Sequence, residues 1–215
     1  MVQWLGSYSE WHLAAISGNE RAKRKVMSKA RVARPAALEC TAYHEAGHAV
    51  ACFALKRRLL TISIVEDKKE CRLGEVRMGA LPRWVPQLDE GANLNYRARL
   101  WLEREAMILF AGGIAERKFR GRHDHVGAHH DRHRALDYVD CLCGSTRESE
   151  AYVAWLYERT VNLLDHPLHW PMVECLAREL LAEQELRGRK LREAIARAQD
   201  GARDWIAGTP KGTGQ

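Results

Sequence analysis

Apolar residues recur at helical spacing over six stretches of the chain and alternate with period two over two short ones. From Ala36 to Leu55, good helix formers carry a single glycine, and Val50, Ala51, Phe53, Ala54 and Leu55 make the end apolar. With Pro35 placed to open it, this stretch is expected to be a buried helix. Leu60–Glu66 alternates, Asp67–Glu70 is a polar turn and Arg72–Met78 can return, so a β-hairpin should follow. A loop is expected from Leu81-Pro82 to Ala92, then a long helix from Leu94 to Phe119 that Gly112-Gly113 interrupts where another helix packs closely. Further helices are predicted over His129–Leu142 with Gly144 as the stop, Ser149–Leu164, Met172–Leu186 and Lys190–Ala198. Arg187-Gly188 reads as a turn, and Gly208–Gly214 as a flexible tail. The fold class is mainly α, with a small sheet beside the first long helix.

Composition changes the picture little: 215 residues with 46% hydrophobic and 29% charged are enough for a real core. No apolar run reaches the roughly 18 residues of a membrane span, and no signal-peptide core is seen. The six cysteines form no C-x-x-C pair, so reduced thiols and a cytoplasmic location are expected. Cys141-Leu-Cys143 fits core plus surface better than a metal site. Charge is more informative. Residues 21–34 hold seven basic side chains and no acid, so the net +6 comes from this leader. Trp4 and Trp11 lie in a short amphipathic stretch before it. The domain reading is a basic leader over 1–35, one domain over 36–200 and a tail over 201–215. A solvated leader is favoured over an arm for an anionic partner. No zinc finger or aromatic-basic interleaving supports a nucleic-acid partner.

The candidate chemistry lies in the first long helix. His44-Glu45-Ala46-Gly47-His48 fits H-E-x-x-H. Four residues apart on a helix, His44 and His48 present their imidazoles to one point, and Glu45 beside them can reach a metal-bound water. Two neutral imidazoles suit Zn²⁺, which lowers the pKa of that water while the carboxylate takes its proton. Such a site needs a third ligand. The hairpin following this helix offers an open edge on which an extended peptide could lie across the zinc.

Beyond that motif, the sequence resembles the peptidase domain of FtsH-type proteins, the membrane-anchored AAA+ zinc proteases. Thr41–Val50 looks like the family's metal helix, and Thr61–Ile64, Leu73–Val76 and Leu81-Pro82 are similar to its strand pair and exit. Ala111–Glu116 resembles its glycine-bearing helix, Gly127–Asp131 the segment carrying the third ligand, and Leu176–Leu181 with Glu185–Gly188 the closing helices. The resemblance spans about residues 38–197 and implies that Asp131 is the third ligand. A carboxylate near a helix start can complete a His₂-carboxylate site with the fourth position left for water. Glu116 is the rival, otherwise a group supporting a ligand or the helix packing. His123, His125, His129, His130 and His133 are further competitors. His130 and Arg132 depart from the family's small or amide and aliphatic residues at those places. No G-x-x-x-x-G-K-[ST] occurs, so an ATPase would have to be separate.

The expected activity is therefore that of a zinc metalloendopeptidase on unfolded or flexible polypeptides. Glu45 would be the base, and His44, His48 and Asp131 the ligands. The family's proteolysis is ATP-dependent, and its ring assembly implies a homo-oligomer. The alternatives are a catalytically silent peptidase-like subunit or adaptor with structural zinc, and a binding module using the basic arm.

Overall fold

A proline at the first helical position starts α1 (Pro35–Ala54), where its missing N–H leaves no bond unmade. Ala42, Ala46, Ala49, Val50, Ala51 and Cys52 are all inaccessible to solvent, so α1 is enclosed by other elements. It ends in a Schellman-type turn. Lys56 takes φ 60°, and the Arg57 N–H donates to the Cys52 carbonyl at 2.8 Å. Arg57 then donates to the buried Glu105 carboxylate at 2.6 Å, tying the end of α1 to the next helix.

The computed structural model describes residues 35–67, 73–82, 94–121 and 128–208. The basic leader with Trp4 and Trp11, most of the predicted hairpin turn, most of the 81–92 loop, His123, His125 and residues 209–215 lie outside them. Residues from Ala36 onward belong to one compact unit. The described chain is mainly helical with a three-stranded antiparallel sheet, the expected fold class. No helix among the described residues is long and apolar enough to cross a membrane.

The long second helix, α2 (Tyr96–Arg120), is capped by Asn95, whose side-chain oxygen accepts from the Ala98 N–H at 3.0 Å. It closes at Gly121, with φ 68° and its N–H on the Arg117 carbonyl. Every residue from Glu105 to Gly112 is buried, so α2 is the central helix of the core. Gly112-Gly113 does not interrupt it: the helix is continuous, and the glycines permit close approach. At Gly47 of α1, an added Cβ would lie 2.6 Å from the Ala115 Cβ and 2.7 Å from the Ala111 carbonyl oxygen. The two helices thus cross nearly backbone to backbone. The helices α3 (Ala128–Asp140), α4 (Thr146–Asp165, capped by Ser145), α5 (His169–Glu183) and α6 (Gly188–Gly208) complete the core. The last runs ten residues beyond the expected Ala198, on an apolar stripe of Leu191, Ala194, Ala198 and Ala202.

The sheet departs from the expected hairpin. Strands β1 (Leu59–Ser63) and β2 (Glu75–Met78) pair as predicted. The third strand, β3 (Glu185–Arg187), comes from a segment whose first two residues read as helix and whose third read as turn. It pairs antiparallel with the other side of β1, in the order β2-β1-β3. Gln184 breaks α5 at φ 61°, and its carbonyl accepts from the Ile64 N–H at 2.9 Å. Leu186 then sits opposite Ile62 on the inner face, both nearly inaccessible. Burying that side chain and satisfying the edge of β1 outweigh the helix propensity of Glu-Leu-Arg. Among the described residues β1 is therefore central, and the outer edges of the sheet belong to β2 and β3.

Candidate metal centre

One turn of α1 places His44 and His48 on the face that meets α2 and the start of α3. Both are buried, with ring centroids 4.7 Å apart and Nε2 atoms separated by 3.0 Å. The Asp131 Oδ2, from the first turn of α3, lies 3.1 Å from the His44 Nε2 and 3.0 Å from the His48 Nε2. His44, His48 and Asp131 are a group that could hold a metal ion, and no fourth His, Cys, Asp or Glu joins it among the described residues.

The far side of each ring fixes its tautomer. The His48 Nδ1 lies 2.7 Å from the Ile108 carbonyl and the His44 Nδ1 3.2 Å from the Glu116 Oε2. Both acceptors require Nδ1–H, so both Nε2 lone pairs point at the shared centre. Glu116 therefore sits behind His44 rather than among the three converging atoms. Its other oxygen accepts from Arg120 at 3.2 Å, one turn along α2, so an Arg–Glu–His chain holds that ring. His129, His130 and His133 are on α3 but solvent-exposed, and none joins the group.

Two lone pairs and a carboxylate oxygen within 3.1 Å of one another need a cation among them. A proton can serve. Burial alone would lower the His44 pKa. The hydrogen bonds to Asp131 and Glu116, with the charges of Glu45 and Asp131, outweigh it and bring the value from 6.5 up to about 10. Burial pushes Asp131 the other way from its partners, and the two histidines win, holding its carboxyl well below the usual range. A metal ion must displace the His44 proton. Below about pH 10, apparent metal affinity should then rise about tenfold per pH unit, read by chelator competition at pH 6 and 8. Affinity independent of pH would mean that no proton is displaced. In the metal-free protein the linkage has the opposite sign. Stability from the raised His44 pKa is complete below 6.5 and is lost as the pH climbs through about 10.

Two further residues shape the centre. Glu45 is buried beside the histidines, and among the described residues nothing hydrogen-bonds its carboxylate. Burial raises its pKa, the nearby His44 and His48 lower it, and Asp131 and Glu75 raise it again. A Cβ on Gly74, just before β2, would lie 2.6 Å from the Glu45 Oε1, so the strand passes directly over this carboxylate. Gly112 was legible in the sequence as a place of close helix packing, but not as part of the centre. Its added Cβ would lie 2.3 Å from the His48 Nε2 and 2.8 Å from the His44 Nε2, in the space where the lone pairs meet. The glycine pair was its only visible signal. The Ile108 carbonyl had none.

Compared with known proteins, the chain matches no family model and no curated protein.

Proposed function

We propose that this chain is a zinc-dependent metalloendopeptidase of the FtsH type. The observation that carries the reading is the convergence of His44, His48 and Asp131 beside Glu45, a largely buried residue whose carboxylate has no hydrogen-bond partner among the described residues and keeps its oxygens open to solvent. Two imidazoles and a carboxylate are a donor set suited to zinc, whose tetrahedral ligands lie about 3.3 Å from one another. The 3.0–3.1 Å spacings are within a few tenths of an ångström of that. A structural site would close its fourth position with another His or Cys, and none is present among the described residues.

When bound, zinc supplies a Lewis acid for the scissile carbonyl and brings the pKa of a water towards about 7. The chain's own residues do the rest. Glu45 accepts the water's proton during attack and returns it to the leaving amine. Glu116 and the Ile108 carbonyl hold the two rings in the ligating tautomer. The outer edge of β2 would take an extended peptide as an added strand close to Gly74 and Glu45. This favours flexible or unfolded polypeptides, with a separate ATPase needed for folded ones.

The test is hydrolysis of casein by the zinc-loaded full chain. Glu45→Gln is expected to keep its zinc and lose about 10²–10⁴-fold in rate. Undiminished hydrolysis in that variant, or none in the zinc-loaded wild type, would sink the proposal.

A further inference from the structure

The motif helix is not the only place where two histidines stand four residues apart. His129 and His133 repeat the spacing in the first turns of α3, with ring centroids 4.4 Å apart. The buried pair, whose Nε2 atoms converge to 3.0 Å, has its centroids at 4.7 Å. Centroid to centroid, the outer rings are thus as close as the buried ones. Both outer histidines are solvent-exposed, and neither belongs to the buried group. Asp131 lies midway between them in sequence. Two residues on a helix turn it about 200° from each, which sends its carboxylate inward.

We propose that His129 and His133 form a second, solvent-facing site for a borderline divalent transition ion such as Zn²⁺, Ni²⁺ or Cu²⁺. Two imidazoles one helical turn apart chelate such an ion, and water completes its shell. No third His, Cys, Asp or Glu joins them among the described residues. The helix N-terminus and Arg132, close enough to act on His129, both oppose a cation. The outer site is consequently weaker than the buried one. An ion there staples the turn that presents Asp131, so filling the outer site steadies a residue of the inner centre. His166 and His169, with centroids 4.8 Å apart, are the natural control. The His166 Nδ1 accepts from the Leu168 N–H, which puts that ring's proton on Nε2 and leaves it no lone pair for an ion.

The untagged full-length protein, given one equivalent of Zn²⁺, would be titrated with Ni²⁺ by calorimetry. A weaker binding event is expected after the first equivalent. It should vanish in His129→Ala and in His133→Ala, with melting curves checking that each stays folded. It should persist in His130→Ala and in His169→Ala. Survival of the event in both outer variants would overturn the proposal, as would its absence from the wild type.

Discussion

Asp131→Ala is expected to lower metal affinity by well over 100-fold, measured by competition with a zinc chelator. Its Oδ2 is the only carboxylate oxygen in the converging group, 3.0–3.1 Å from both Nε2 atoms, so its removal leaves two imidazoles. Glu116→Ala acts one bond further out. It frees the His44 ring to change tautomer and strips Arg120 of a partner, but no converging atom is lost. Losses of this indirect kind run at about 10–100-fold. The order of the two variants is the decisive reading. A larger loss in Glu116→Ala would make Glu116 the ligand and Asp131 the support.

Gly112→Ala should abolish metal binding although no donor atom is touched. A methyl group 2.3 Å from the His48 Nε2 and 2.8 Å from the His44 Nε2 is closer than any real contact permits. The surrounding segment of α2 is buried throughout, so the helix cannot back away cheaply and the imidazoles must swing out. The same substitution at Gly201 in α6 is the control. Nothing lies within 4 Å of its added Cβ, and the change should stabilise the helix by about 0.5–1 kcal/mol with metal binding intact. Full affinity in Gly112→Ala would show that the space before the two Nε2 atoms is not where the ion sits.

How much of this was legible in the sequence follows from the distance each feature spans. His44, Glu45 and His48 share one helical turn, so their spacing alone predicts the convergence. Asp131 stands 83 residues beyond His48, and only an expected family resemblance of its segment singled it out. Glu116 was visible as a candidate, but its place behind His44 depends on how α1 and α2 cross. Every residue carries a carbonyl, so nothing in the sequence marks Ile108 as the partner of His48. The strand at 185–187 was lost for another reason. Glu-Leu-Arg continues a helical pattern, and its extended state is set by pairing with β1, a contact that no local window contains.

That closing strand also orders events in time. Residues 59–63 leave the ribosome long before their partner at 185–187, and Ile62 cannot be covered by Leu186 until then. At about 5–20 residues per second, the interval between His48 and Glu185 is roughly 7–27 s. During synthesis the nascent chain therefore holds both histidines well before it holds Asp131 or a complete sheet. An apolar strand edge stays unsealed meanwhile, and the sheet cannot be completed until residue 187 has emerged. Chaperone dependence and aggregation should concentrate in that window, set by the separation in sequence between β1 and β3.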